Sequence, residues 1–155
     1  MSEDKTIKLF NIKEMNYEIL QTLNYHNNIV WKIIELKNKN LVSCSQDSSI
    51  IFYIKDNNEY KKDYQIRTDG ACYSIIQIKD NELCYSEYNN NKICFYDLFE
   101  RKIICSIKDI SKANGAREWF IMIKNNLLLI PGENQISIIN TNQHNLVLLI
   151  MGYFF

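Results

Sequence analysis

Two histidines, five cysteines and a serine-rich turn are the residues of this chain best equipped for chemistry. His26, Ser45 and Asp47 are the residue types of a nucleophilic triad, in which a base takes the serine proton and a carboxylate orients the base. Cys44, Cys72, Cys84, Cys94 and Cys105 are odd in number, and none shows the Cys-x-x-Cys spacing of zinc or dithiol sites. All five stand in apolar, strand-like runs, where a free cysteine behaves as a small hydrophobe. They read as buried free thiols, which implies a reducing, intracellular, cytoplasmic setting. No His-Glu-x-x-His pattern occurs, and Gly70, Gly115, Gly132 and Gly152 are too scattered to cradle a phosphate. His144 falls in the polar stretch Thr141–Asn145 and is expected in solvent. The carboxylates of Glu3–Asp4 and Asp80/Glu82, and the basic runs Lys61–Lys62 and Arg101–Lys102, fall in turns and read as solvated groups rather than acid–base machinery. No catalytic residue, metal site or cofactor site is assigned.

The elements that would hold these residues are strands. The chain has 155 residues, 46% of them apolar and 23% charged, which suits one globular domain with a real core. Eighteen basic residues balance eighteen acidic ones, which argues against an electrostatic grip on nucleic acid or an anionic membrane. The start is acidic with no apolar stretch behind a basic one, so no secretory leader is expected. No run of about 18 apolar residues occurs, so no membrane insertion is expected. The apolar runs are short, β-branched or aromatic, and divided by turns, with no sustained helical period. Asparagine clusters at 27–28, 57–58, 89–91 and 125–126 take the turn positions, because asparagine tolerates the left-handed backbone region.

The runs repeat. DKTIKLFNI at 4–12 aligns with DSSIIFYI at 47–54, NNKICFYDL at 90–98 and ENQISIINT at 133–141. Four columns follow: Asp4, Asp47, Asn90, Glu133; Ile7, Ile50, Ile93, Ile136; Leu9, Phe52, Phe95, Ile138; Phe10, Tyr53, Tyr96, Ile139. Each step is 43 residues. A second block recurs ahead of each later copy: VWKIIELKNKNLVSCS at 30–45, CYSIIQIKDNELCYS at 72–86 and REWFIMIKNNLLLI at 117–130. Four short strands per unit of this length describe the blade of a β-propeller.

These residues resemble the WD-repeat (Trp–Asp) β-propeller family over about Asp4 to Met151. The family blade carries a histidine in the loop entering it, a Ser-x-Ser-x-Asp turn, and a Thr-Ile-x-x-Trp-Asp strand. The second unit offers His26, then Ser43–Cys44–Ser45–Gln46–Asp47, then Ser49-Ile50-Ile51-Phe52-Tyr53; the third ends in Tyr96–Asp97. The resemblance implies an all-β fold: an incomplete or open propeller of four-stranded antiparallel blades. It implies that His26, Ser45, Asp47, Tyr53, Asn90, Tyr96 and Asp97 brace blades and do not react. Phe10, Tyr53, Tyr96 and Ile139 stand where the family has tryptophan, so the indole N–H of the full network is absent.

Counted this way, the chain holds a half blade (4–24), three blades (25–67, 68–110 and 111–151) and a tail (152–155). That is fewer than the four or so blades a closed ring needs. The expectation is either a fragment of a longer propeller or an open arc whose edge strand, Ile7–Ile12, invites self-association. By resemblance, peptides or other proteins dock on the rim formed by the loops between blades and the turns between second and third strands. That rim would carry Asn28, Arg67, Asp69, Tyr88, Arg117 and Trp119, with arginine and aromatic residues as anchors. The expected function is a non-catalytic scaffold for protein partners. The alternatives are a regulatory propeller segment of a larger enzyme such as a protein kinase, and a truncated piece without its own activity.

Overall fold

In the computed structural model the described residues are 3–13, 16–108, 121–123, 126–131 and 135–151. They form fourteen strands: β1 (Ile7–Lys13), β2 (Asn16–Leu23), β3 (Val30–Glu35), β4 (Leu41–Ser45), β5 (Ser49–Asp56), β6 (Glu59–Arg67), β7 (Ile75–Lys79), β8 (Glu82–Glu87), β9 (Lys92–Asp97), β10 (Lys102–Lys108), β11 (Ile121–Ile123), β12 (Leu127–Pro131), β13 (Gln135–Asn140) and β14 (Asn145–Met151). A single turn of 3-10 helix, Tyr88–Asn90, joins β8 to β9.

Each strand pairs antiparallel with its neighbour in sequence. The result is one two-stranded sheet, β1-β2, followed by three four-stranded sheets, β3-β4-β5-β6, β7-β8-β9-β10 and β11-β12-β13-β14. The 43-residue repeat has a backbone signature. In all four sheets the pairing of the last two strands slips by one residue at the same repeat position, beside Leu9/Phe10, Phe52/Tyr53, Phe95/Tyr96 and Ile138/Ile139. A bulge there adds right-handed twist to each sheet.

The continuous apolar runs are explained by burial on both faces. All of Leu41–Ser45 and Glu82–Glu87 is buried. Successive residues of β5 point to opposite sides: Ile51 and Tyr53 pack with Ile7, Leu23, Val30 and Leu41 against the first sheet. Ile50 and Phe52, with Val42 and Cys44, pack against Cys72, Ile75, Leu83, Tyr85, Cys94 and Tyr96 of the third. Cys84, Ile93 and Phe95 in turn pack against Leu128, Ile130 and Ile139 of the fourth. The core is thus three layers between four sheets, the stacking expected of units that cannot bury an apolar face alone.

The turns follow the sequence. Asn57 and Asn58 form the two-residue hairpin between β5 and β6 with φ of 46° and 70°, and Asn91 and Asn126 also take positive φ. All five cysteines are free thiols, four of them buried. Among the described residues, no helix is long and apolar enough to cross a membrane.

Candidate functional site: the loop rim and the networks beneath it

His26 enters from the loop between β2 and β3 and is buried. Its Nδ1 lies 3.0 Å from Asp47 Oδ2, and its Nε2 lies 2.7 Å from Ser43 Oγ. Ser43 Oγ lies 3.0 Å from the Tyr53 hydroxyl. Asp47 also accepts from the Asn27 amide at 2.8 Å and from Ser49 Oγ at 2.5 Å. One proton arrangement satisfies the chain of contacts: Tyr53 O–H donates to Ser43, Ser43 O–H donates to Nε2, and Nδ1–H donates to Asp47.

The electrostatics agree with a neutral ring. Burial lowers the His26 pKa, against the opposing pull of Asp47. Asp47 loses solvation, which alone would raise its pKa, yet the bonds from Ser49, Asn27 and His26 hold it below the usual carboxylate range. Burial pushes the Tyr53 phenol up to about 12. Ser43 has no exposed surface, and Tyr53 covers its oxygen. This serine cannot meet a substrate, so the three residue types of a triad serve here to tie a loop, a turn and two strands together.

The network differs in detail from the sequence expectation. Ser43, not Ser45, lies between His26 and Tyr53. Ser45 instead donates to the Ile29 carbonyl at 2.8 Å and accepts from the Asp47 amide at 3.0 Å, fixing the same turn from the other side. The phenol of Tyr53 does what the missing indole would do, because either group carries one donor at the end of a flat ring. Asn90, Tyr96 and Asp97 lie elsewhere. Asn90 is exposed in the 3-10 turn. Tyr96 is buried between the second and third sheets. Asp97 Oδ1 accepts from the amides of Phe99 and Glu100, both at 2.8 Å, and so closes the turn after β9.

One repeat further on, the same place holds charges. Position 69 matches position 26, and position 92 matches position 49. Lys92 Nζ lies 2.8 Å from Asp69 Oδ2 and 2.8 Å from Glu87 Oε2. Glu87 is almost wholly buried, and the Cys94 thiol reaches its other oxygen at 3.7 Å. Burial alone would lower the Lys92 pKa, but the two carboxylates outweigh it and hold it above the ordinary value. Lys92 holds the Asp69 carboxyl below its usual range. Burial pushes the Cys94 thiol up to about 12.

Two groups expected in solvent are not there. His144 packs on the ring of Phe95 at 4.5 Å between centroids and bonds Glu82, which is 4% exposed. Lys79 Nζ lies 2.8 Å from Glu82 and 3.1 Å from the Thr141 carbonyl. These residues join the third and fourth sheets, and the 62-residue separation of the partners hid the contact from a local reading. Asp80 is exposed, as expected. Arg101 is exposed, as expected, and it also stacks over Tyr64 at 4.1 Å and reaches Asp63 at 3.2 Å, joining the second sheet to the third.

At the rim, Trp31 and Tyr73 meet at 4.7 Å between ring centroids, and Tyr73 meets Tyr88 edge-on at 4.9 Å. Arg67 ends β6 and is exposed, as is Asp69 two residues on. Asn28 is half-buried, and its Oδ1 accepts from the Ile29 amide at 2.8 Å. Gly70 lies so close to the 3-10 turn that a Cβ added there would come 3.0 Å from Asn89 Cβ. Arg117 and Trp119 lie outside the described residues. Among the described residues no group of three or more histidine, cysteine, aspartate or glutamate side chains could hold a metal ion.

No protein-family model matches this sequence, and no curated protein matches it. Its shape does find matches. The crystal structure of the WD40 β-propeller domain of Doa1 superposes with a TM-score of 0.73 at 14% identity, covering 97% of this chain and 48% of that one. A chain in the crystal structure of the mitotic checkpoint complex superposes with a TM-score of 0.77 at 14% identity, covering 96% of this chain and 47% of that one. The fold is that of a WD40 β-propeller. The likeness is one of structure and not of sequence, and the chain spans about half the length of either match. Its four WD40-type sheets form an open, partial propeller.

Proposed function

We propose that the protein is a non-catalytic interaction scaffold that holds a peptide or protein partner on its loop rim. The aromatic run Trp31–Tyr73–Tyr88, flanked by the exposed Arg67 and Asp69, is the observation that supports this most. Rigid aromatic surface beside an arginine is the composition that anchors interfaces, because it covers area at little cost in rotamer freedom. Below it, the His26 and Lys92 networks hold the two loops in register, so the surface is set before a partner arrives. The occlusion of Ser43 supports a binding role over a hydrolytic one. WD40-type propellers as interaction modules supply the analogy, which rests on fold. Arg117 and Trp119 are assigned to the proposed rim on sequence alone, and the free thiols fit a reducing, cytoplasmic setting.

The test is capture of partners from native cell extract by the full chain. Changing Arg67, Tyr88 and Arg117 to alanine together is expected to strip those partners while the circular dichroism spectrum is kept. A folded triple variant that retains every partner overturns the rim reading.

A further inference from the structure

We propose that the cleft between the second and third sheets, at the end away from the rim, binds a small α-amino acid as its zwitterion. This site shares no residue with the rim, so the two readings stand or fall separately.

The cleft is a cavity of about 150 Å³ between the turn joining β3 to β4 and the turn joining β9 to β10. Its polar walls are Asn38, Asn40, Asp63 and Arg101, and Leu41 and Leu98 are among its apolar ones. At about 30 Å³ per water it has room for about five, which suits an occupant of fewer than about ten non-hydrogen atoms. Both sheets that form it have all four strands, and every residue lining it is described.

The next junction shows which charges are missing here. Leu41 lies opposite Tyr53 and Leu83 opposite Tyr96, so Asn40 holds in the second sheet the place that Glu82 holds in the third. The 43-residue step sets Arg101 against His144. Between the third and fourth sheets, the buried Glu82 carboxylate takes the His144 ring and the Lys79 ammonium. A carboxylate and an ammonium thus close that junction. Between the second and third sheets the acid is replaced by an amide. Lys37, the counterpart of Lys79, reaches the exposed Asp80 instead. Asn40 and Arg101 are left facing one cavity.

The polar walls are set for such a pair of charges. Asn38 Oδ1 accepts from the Asn40 amide at 3.1 Å, and Asn40 Oδ1 accepts from the Lys55 amide at 3.3 Å. Each side-chain oxygen is therefore engaged, and each Nδ2 remains as a donor. Arg101 is held over the Tyr64 ring at 4.1 Å and gives one Nη to Asp63 at 3.2 Å, which leaves further N–H groups in a fixed plane. A ligand carboxylate meets two amides and a guanidinium, and a ligand ammonium meets Asp63. A carboxylate alone is repelled by Asp63, and an amine alone by Arg101. The leucines suit a small branched side chain.

The probe is L-valine, titrated into the ¹⁵N-labelled full chain and followed by amide NMR. Saturable shifts are expected at Asn38, Asn40 and Leu98. Isovalerate, which lacks the ammonium, and isobutylamine, which lacks the carboxylate, should each bind at least about fivefold more weakly. Asn40→Asp places a carboxylate beside Arg101, as Glu82 lies beside His144, and should weaken valine at least about fivefold. Asp63→Asn should bring isovalerate to within about twofold of valine. The three ligands are compared on the unaltered chain, so that comparison decides even if a variant misfolds. Absence of saturable shifts with valine overturns the proposal, as does isovalerate or isobutylamine binding as tightly as valine. A folded Asn40→Asp chain that binds valine unchanged also overturns it.

Discussion

The sheet β3–β6 and the sheet β7–β10 solve one structural problem with different chemistry. In both, a loop from the preceding sheet must be tied to the turn between the second and third strands. The earlier sheet does it with His26, Ser43, Asp47, Ser49 and Tyr53, a relay of directed donors and acceptors with one net charge. The later sheet does it with Asp69, Lys92 and Glu87, two carboxylates on one ammonium. The backbone is nearly the same in the two, down to the bulge. What differs is the response to insult. A directed relay fails when a proton is added to its ring, whereas an ion cluster fails when one charge is removed and its partner is left buried.

The largest effect that would sharpen this contrast is in the later sheet. Lys92→Met leaves the Glu87 carboxylate buried without its cation and should cost about 3 kcal/mol or more in urea unfolding of the full chain. The double variant Glu87→Gln/Lys92→Met should recover most of that loss, because a neutral pair of similar volume has no charge to desolvate. A single variant as stable as the double would show that the charges are solvated. In the earlier sheet, His26→Ala or Ser43→Ala leaves buried polar atoms unpaired and should cost about 2 kcal/mol; Tyr53→Phe, at the end of the relay, about 1 kcal/mol.

Acid should separate the two sheets without mutation. The His26 pKa is lower folded than unfolded, so its contribution is present above the unfolded value near 6.5 and is lost as pH falls below it. Asp47 acts in the same direction, but only as pH falls below 3.8. The Lys92 pKa is raised, so its contribution is complete below 10.5 and is lost as pH rises beyond that. Amide exchange, corrected for its intrinsic pH dependence, should show β4 and β5 losing protection between pH 7 and 5 while β8 and β9 keep theirs. Equal loss in both sheets would break the comparison. The smallest effect is expected for Asp69→Asn, since Asp69 is exposed and Lys92 keeps Glu87.

The sequence revealed more of the fold than of the networks. Columns such as Ile7, Ile50, Ile93 and Ile136 repeat because the same stacking must be solved four times, and stacking tolerates any apolar residue of fitting size. The histidine, the turn aspartate and the tyrosine of the earlier sheet were legible because a family pattern names those positions. Ser45 was named for the turn it bonds, whereas Ser43, two residues earlier in β4, was not singled out because its partners His26 and Tyr53 lie 17 and 10 residues away. The charge cluster was hidden: the repeat alignment sets Lys92 against Ser49, but only the structure places Glu87 buried beside it. Glu82 and His144 illustrate the harder case. A buried carboxylate and its partner in the next sheet leave no local pattern, since each looks like an ordinary polar turn residue.

The central claim is that the histidine, serine and aspartate at the second sheet are a closed brace. An NMR titration of the His26 ring in the full chain tests this most directly. The prediction is a ring that stays neutral at pH 7, protonated on Nδ1, and titrates clearly below 6.5. A ring that titrates at or above 6.5 with freely exchanging tautomers would contradict it.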